Sequence, residues 1–516
     1  MRSFAKEYAR GAADLLGFYA QPPSSLFDSA PASGIWDTTL VEAMRRYAQE
    51  IGSDATFMGN EAVIITGQQP AIFTGPMYTV FKAITVLKLS RAMRERFRTP
   101  VAPVFWIGSE DHDFEEARTA HFLTKDHRSL TLRYTPTEDV ASRAMYRVPC
   151  DASLHEFIER AADESRGSEQ SDDVRSFLHA SLDASSSLSE WTARLLARLF
   201  RGTELVFFSP HLPEAREIGA AVIRREIETP LTSTRLLNEA GVRLERIGFP
   251  PQLTKGADEC NFFLEIGEKR CKTVYINGRF ETPESGERFS SVELLELLDN
   301  HSYRFSPNVA LRCVVQQRLF PVAAYAAGPG ELAYWAQLKP VFEHFSVPMP
   351  VVWPRASCVL TTLKLNKLRA KLGLELEDLA LPSEELRDKA ARAASTNPAL
   401  QLARERGPEV ERSIAALAEG LRAKDPTTAD MAERLREEAR AQLDRIERSI
   451  VRGDAAKNGA VFEQAQRLVN SLMPDRGPQE RVYTIFSFLF EYGWDLIPRL
   501  IESIDPIRSG LQEIEL

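Results

Sequence analysis

One stretch limits what this chain can fold into: residues 63–116. It opens with the apolar run Val63-Ile64-Ile65 and breaks at Thr66-Gly67-Gln68-Gln69-Pro70. Ala71-Ile72-Phe73-Thr74-Gly75-Pro76 follows. Met77, Val80, Phe81, Ile84 and Leu87 then recur at a spacing near 3.6, which predicts a helix over about 77–93. A second apolar run, 101–107, ends in Gly108-Ser109-Glu110-Asp111-His112-Asp113. The pattern is a β–loop–α–β unit. In a parallel sheet both strand ends face one crevice, where ligands bind. Thr74 is placed to cap the helix, and Pro76 suits its first turn. Gly75 lets a ligand approach the backbone, and a helix start attracts phosphate or carboxylate. The plainer alternative is a Gly-Pro pair that only turns the chain. Two glycine loops and a Gln pair after one strand favour a site.

Strand–helix alternation returns after long interruptions. Residues 1–116 read as N-terminal helices, one of them over 39–51, and the first half of a core. Residues 117–200 read as a mostly helical insertion, with a strand-like stretch at 131–134 and a charged loop at 163–173. Residues 201–248 supply a core strand within 204–210 and helices over 212–245. Residues 249–304 read as a small β insertion. Its strands fall at 250–253, 261–266 and 272–276, and Asn277-Gly278 is a strong hairpin turn. The second half of the core spans 305–382: helix 309–317, strand 319–327, helix 332–345 interrupted at Pro340, strand 347–353, and a helix to about 372. This spacing argues a parallel α/β core.

Residues 383–472 differ, being mostly helix formers with no aromatic before Phe462. Val410, Ile414, Leu417 and Leu421 keep a helical spacing, resumed at Met431, Leu435, Leu443, Ile446 and Ile450. Pro426 marks the turn between two antiparallel coiled-coil branches. The second branch, 428–472, would be about 65 Å long. Its apolar seam must pack on its partner branch, on the core or on another subunit. Residues 473–516, with Phe486, Phe488, Phe490, Tyr492 and Trp494, read as a return to the core.

Composition narrows the function classes. The chain has 516 residues, 44% hydrophobic and 27% charged, as an ordinary globular protein has. A net charge of −9 argues against nucleic acid as a partner. No apolar run approaches the roughly 18 residues of a membrane span, and no apolar signal core follows Met1-Arg2-Ser3. Cys150, Cys260, Cys271, Cys313 and Cys358 stand singly, which suits a reducing cytoplasm.

The densest chemical cluster is Glu110-Asp111-His112-Asp113. A carboxylate beside His112 would tune it near neutral pH, as a general base needs. The alternative, Asp as a helix cap with acids complementing the first turn, explains one or two of these residues and leaves His112 over. No His-x-x-x-His or Cys-x-x-Cys pair completes a metal site, so no metal is predicted. Gly328-Pro329-Gly330-Glu331-Leu332-Ala333 has the G-x-G-x-x-A form between strand and helix. Pro329 removes a donor and no acid closes the next strand, so the loop reads as an anion binder rather than a dinucleotide site. Arg355 and Lys339 are candidate anion ligands.

Together these motifs carry a resemblance. Thr66-Gly67-Gln68-Gln69, Phe73-Thr74-Gly75-Pro76 with Lys82, and Phe105-Trp106-Ile107 leading to Glu110-Asp111-His112-Asp113 come first. Gly328-Pro329-Gly330-Glu331 through Tyr334-Trp335, Pro348-Met349-Pro350 through Arg355, and Gln479-Glu480-Arg481 follow in the same order. The set resembles the cysteine-adding enzymes of bacillithiol biosynthesis, the BshC family. The resemblance implies a Rossmann-like nucleotidyltransferase core with a parallel sheet. It also implies connecting-peptide insertions like those of class I aminoacyl-tRNA synthetases, and a long helical coiled-coil arm that makes a homodimer.

The implied activity is addition of L-cysteine to the amine of glucosaminyl-malate, with ATP as the expected activator of the cysteine carboxyl. The chain departs from the synthetase pattern: it has no His-x-Gly-His run, no Lys-Met-Ser-Lys-Ser loop and no cysteine-selecting zinc site. The implied catalytic residues are His112, Asp111 and Asp113. The implied substrate- or nucleotide-binding residues are Gly67, Gln68, Gln69, Thr74, Gly75, Lys82, Glu110, Gly328, Gly330, Glu331, Tyr334 and Arg355. Two other classes remain open. One is a ligase or nucleotidyltransferase for different small acids and amines on the same core; the other is a non-catalytic coiled-coil scaffold.

Overall fold

The computed structural model describes residues 3–165, 167–453 and 455–516. Met1 and Arg2 at the N-terminus, Arg166 in the charged loop and Asp454 in the second branch of the arm lie outside the described residues. The chain divides into two compact units. One comprises Met1–Lys125, Leu130–Cys358 and Tyr483–Ile514; the other comprises Asp126–Ser129, Val359–Val482 and Glu515–Leu516.

The first unit is built on five parallel strands: β1 (Ala62–Gln68), β2 (Val101–Ile107), β3 (Val206–Phe208), β4 (Val322–Ala327) and β5 (Val351–Pro354). Their spatial order is β5-β4-β1-β2-β3. This is the Rossmann-like order, in which the chain reverses direction of growth between β1 and β4. A crevice opens there, beyond the carboxyl ends of the strands. The strands are continuous apolar runs because helices cover both faces.

Local chemistry moves several boundaries. The break expected at Thr66 is strand: Thr66, Gly67 and Gln68 pair with Phe105, Trp106 and Ile107. Gly67 eases that close pairing, since a Cβ would sit 3.0 Å from the Trp106 carbonyl. The helix Tyr78–Phe97 is not capped by Thr74. Phe73, Thr74 and Gly75 all have positive φ, the N-cap is Met77, and its N–H donates to Tyr483 O at 2.8 Å. The strand expected at 347–353 starts only at Val351, after Pro348 and Pro350, which have no N–H for a ladder. The helix expected at 332–345 is two helices, Pro329–Trp335 and Lys339–His344, with Pro340 in the first turn of the second.

The β insertion is an antiparallel sheet of Glu259–Ile266, Lys269–Ile276, Arg279–Thr282 and Glu287–Phe289, edged by Phe305–Pro307. Asn277 and Gly278 turn its hairpin with positive φ at both residues. Residues 250–253 form no strand. The Gln337 side chain binds them instead, accepting from the Gln252 and Leu253 N–H groups at 2.9 Å each. Residues 117–200 hold a two-stranded ladder, Thr119–Leu123 with Ser129–Arg133, before the helices Ser153–Glu164, Ser171–Asp183 and Leu188–Leu199.

The second unit carries the arm. Pro398–Arg422 and Pro426–Gly453 pack side by side, and Ala455–Leu472 follows. Pro426 does not sit in the turn; it opens the second helix, where its missing N–H costs nothing. Buried in the arm are Gly407, Ala418, Ala429 and Ala432, together with Leu400. Large apolar side chains point outward: Met431 is 66% exposed, Leu402 58% and Leu417 55%. The expected seam is split: Ile414, Leu421, Leu443 and Ile450 are half-buried, with Leu443 packed beside Gly407 of the other branch, while Val410, Leu417, Met431, Leu435 and Ile446 are exposed.

Candidate active site

Two polar groups meet the carboxyl ends of the core strands. The first gathers at β1, β4 and β5. Lys82, one turn into its helix, is buried and donates to Gly67 O at 2.8 Å and Gln68 Oε1 at 3.0 Å. Its Nζ also lies 2.6 Å from Glu331 Oε2. Glu331 accepts from the Tyr325 hydroxyl at 2.6 Å and from the Gly328 N–H at 2.7 Å. Burial opposes the Glu331 charge, yet Lys82 and these donors hold its carboxyl below the usual range. Burial pulls Lys82 down, and Glu331 resists that shift.

The Arg355 guanidinium lies 5.5 Å from the centre of the Tyr78 ring, and Lys82 Nζ lies 5.8 Å from it. Tyr78 in turn accepts from Gln68 Nε2 at 3.2 Å. Gly328 packs among these groups: a Cβ would stand 3.3 Å from Glu331 Oε2 and 3.6 Å from Arg355 Nε. Tyr334 is buried and its hydroxyl accepts from Arg312 Nη2 at 3.0 Å. Gly330 is exposed, with open space where a Cβ would be. The loop is therefore poorly suited to bind an anion through its backbone. Its Gly328 N–H is already taken by Glu331, and Pro329 has none.

The second group gathers beyond β2. Glu110 is buried, and its Oε1 lies 2.9 Å from Arg216 Nε. Arg216 also donates to the Pro210 carbonyl at 3.1 Å and to the Phe305 carbonyl. Burial pushes the Glu110 carboxyl up against the pull of Arg216. Burial pushes Asp111 up too, against Arg270 and Arg312. Asp111 lies so close to the backbone that a Cβ on Gly108 would stand 2.7 Å from its Oδ2.

His112 differs from its sequence reading. Its Nδ1 is 3.0 Å from Arg270 Nη1, and the ring meets Phe263 edge-on at 5.1 Å. A guanidinium only donates, so Nδ1 accepts and the proton resides on Nε2. Burial and then the Arg270 charge push His112 down to about 4, with Asp113 opposing. A neutral imidazole this weakly basic is a hydrogen-bond donor, not a base tuned to neutral pH. Asp113 takes the capping role that the sequence also allows. It is exposed and caps the helix Phe114–Ala117, accepting from the Glu116 N–H at 3.3 Å.

The two loops are tied together by Gln69 Nε2, which donates to Asp113 O at 2.6 Å. Gln68, Gln69, Thr74, Gly75 and Tyr78 line one narrow, water-sized cleft. The Thr74 hydroxyl is buried there with no hydrogen-bond partner among the described residues. Lys339 stands apart from both groups and donates to Gly17 O at 3.2 Å. At the end of β3, His211 Nδ1 lies 2.7 Å from Ser209 Oγ and 3.1 Å from Ser109 Oγ, and Tyr146 stacks on the ring at 5.0 Å.

Five residues important to this geometry escaped the sequence reading: Tyr78, Arg216, Arg270, Arg312 and Tyr325. Tyr78 and Tyr325 sat inside apolar runs and read as core. Arg216 follows a strand by one helical turn, a usable signal. Arg270 comes from the β insertion, and nothing local marks it. Among the described residues, no three His, Cys, Asp or Glu side chains converge as a metal site, and no helix is long and apolar enough to cross a membrane.

Comparison with known proteins gives consistent matches over the whole length. Residues 2–356 match the family model described as bacillithiol biosynthesis BshC, N-terminal Rossmann-like domain. Residues 358–516 match the BshC C-terminal coiled-coil domain. A protein of Salinibacter ruber named as a cysteine ligase BshC is 31% identical over 87% of this chain and 82% of its own length. One of Symbiobacterium thermophilum with the same name is 30% identical over 91% of this chain and 88% of its own. A solved arginyl-tRNA synthetase structure from Campylobacter jejuni aligns at 10% identity over 89% of this chain and 98% of its own. Its TM-score of 0.21 is too low to bear on the fold.

Proposed function

The chain belongs to the BshC family, and from that premise we propose that it is a ligase joining L-cysteine to the amine of glucosaminyl-malate, the last step in making bacillithiol. The observation that carries this reading is the pair of buried charged groups at one set of strand ends. One is rich in cations (Lys82, Arg312, Arg355) and the other presents raised carboxyls (Glu110, Asp111). Arg312 is within electrostatic reach of both: it acts on Lys82 on one side and on Glu110 and Asp111 on the other.

Amide formation needs two things. The sugar ammonium must lose a proton, and the cysteine carboxyl must be activated. Asp111 is the proposed base, because a carboxyl raised by burial takes a proton more readily than an ordinary one. His112, neutral and fixed by Arg270, donates a hydrogen bond from Nε2 to an oxygen of the substrate. ATP is the proposed cosubstrate and would supply the activation, with Arg312 and Arg355 as the cations that would meet its phosphates and Lys82 held in place by Glu331 and the β1 end. Arg355 would equally pair with a malate carboxylate as a planar fork.

A second copy is the proposed partner of the arm, since its outward Leu402, Leu417 and Met431 are more than half exposed among the described residues. The cytoplasm is the proposed compartment, because all the cysteines are free thiols. The deciding experiment incubates the protein with cysteine and glucosaminyl-malate, with and without ATP, and reads products by mass. A panel of other amino acids and amines runs alongside. Formation of the cysteinyl amide supports the reading. Turnover of another acid–amine pair alone, or of none, removes it.

A further inference from the structure

The turn that carries Glu110, Asp111 and His112 leaves the sheet at Ile107, and two other segments hold it. One is the strap Met145–Arg147, a single helical turn. Its Met145 N–H donates to Asp111 O at 2.8 Å, and its Tyr146 N–H donates to Ser109 O at 3.0 Å. The other is the hairpin of the β insertion, formed by Glu259–Ile266 and Lys269–Ile276. Arg270 of that hairpin donates to His112 Nδ1.

Strap and hairpin are fastened to each other through one carboxylate. Glu265 stands directly across the ladder from Arg270. Residues paired across antiparallel strands project from the same face, so these two side chains leave the hairpin side by side. Arg270 goes to His112, and Glu265 goes to the strap. Glu265 Oε2 accepts from the Tyr146 hydroxyl at 2.6 Å, and Oε1 accepts from Arg147 Nη2 at 2.5 Å. Burial, and then Glu265, push the Tyr146 hydroxyl up to about 12, so it stays a donor. The approach to the strap is tied to the same hairpin: Arg270 N–H donates to Ser142 O at 2.8 Å, and Arg143 Nη2 lies 3.0 Å from Glu268 Oε2.

We propose that Glu265 is a positioning residue of the ligase: through Tyr146 and Arg147 it holds the strap, and through the strap's two N–H groups it holds the turn that presents Asp111 to the substrate. The proposal rests on the ligase reading for the reaction. Glu265 acts on the backbone of the turn and leaves the Asp111 carboxyl to the chemistry. Its side chain is only 11% exposed, and one of its two donors is a guanidinium. Charge-assisted bonds are the strong ones, and a buried pair loses most when one partner is removed. Losing the carboxylate therefore frees both donors at once, and the strap with them.

The test is a double-variant cycle in the full chain. Glu265→Ala should lower kcat for cysteinyl amide formation by about 10–100-fold, the cost of a small misplacement, with both KM values within about twofold. In an Asp111→Asn background the same change should cost less than about twofold, because the base it acts through is already gone. Tyr146→Phe keeps the ring on His211 and removes one bond to Glu265, so it should lower kcat by about fivefold. Hydrogen exchange reads the strap without turnover: in either Glu265→Ala or Tyr146→Phe, the Met145 and Tyr146 N–H groups should exchange at least about tenfold faster. Thermal melts establish that each variant folds; if Glu265→Ala does not, Tyr146→Phe takes its place in every arm. Native kcat, an equal loss with and without Asp111, a loss confined to KM, or unchanged exchange each overturns the proposal. A wild type that makes no cysteinyl amide ends the ligase reading, and exchange alone then decides whether Glu265 holds the strap. A wild type that makes the amide while folded variants keep its kcat ends the positioning role alone.

Discussion

The strand-end crevice and the helical arm bury opposite things. In the crevice, charged side chains are inside: Lys82, Glu110, Arg216, Arg270 and Arg355 are each less than a tenth exposed. In the arm, Gly407, Ala418, Ala429 and Ala432 are inside together with Leu400 and Val451, while Leu402, Leu417, Met431 and Leu435 are out. Burying a charge is costly unless it is paired, and an exposed stripe of large apolar residues is costly unless it is covered. The first cost is met within the chain, by Glu331 and by neighbouring carbonyls. The second is not met among the described residues, and on that contrast rest the proposals of assembly through the arm and chemistry in the crevice.

The sharpest test of that contrast is at Asp111. Asp111→Asn should lower turnover by roughly 10²–10⁴, the span of general-base catalysis, without changing the oligomer. His112→Gln should cost clearly less, because a Gln amide still donates a hydrogen bond. If His112→Gln is the more damaging change in steady-state rates, the base has been assigned to the wrong residue.

Next in size is the buried ion pair. Lys82→Met leaves Glu331 without its cation and should destabilise the protein by about 3–5 kcal/mol. Lys82→Met with Glu331→Gln should recover much of that loss in denaturant titrations. A single variant as stable as wild type would mean that the pair is not the fastening described.

For the arm, Leu417→Glu with Leu435→Glu should abolish a dimer while the melting temperature of the rest of the chain stays nearly unchanged. Light scattering that still reports a dimer would show that the outward stripe is not the interface.

The smallest effect concerns pH. His112 and His211 are both pushed down to about 4, first by burial. In the unfolded chain histidine titrates near 6.5. Between these values the unfolded state binds more protons, so their contribution to stability is present above about 6.5 and is lost as pH falls toward 4. The melting temperature should therefore drop from pH 7 to 4.5 by a few degrees less in His112→Gln/His211→Gln than in wild type.

Sequence alone determined the architecture. Val63-Ile64-Ile65 and 101–107 are apolar without interruption, which only strands covered on both faces require, and Met77 to Leu87 repeats at 3.6. Asn277-Gly278 specifies its own turn. These signals are local, set by backbone sterics and side-chain periodicity over a few residues. The motif order also identified the family, which the matches over 2–356 and 358–516 bear out. It drew attention to Lys82, Glu110, Asp111, Glu331 and Arg355, which do gather at strand ends.

What only the tertiary structure decided is how each of those residues behaves. His112 reads as a carboxylate-tuned base in sequence because Asp111 and Asp113 flank it. In the fold, its nearest charge is Arg270, 158 residues away. Thr74 reads as a cap, yet the helix start is held by Tyr483 from the far end of the chain. The heptad-like spacing of Val410, Leu417 and Leu435 is real, but its face was open. A helix spacing says that apolar residues share a side, and only packing says which side meets the neighbour. Basicity and partner choice are set by nearest neighbours in space, and those neighbours come from segments that the local sequence cannot name.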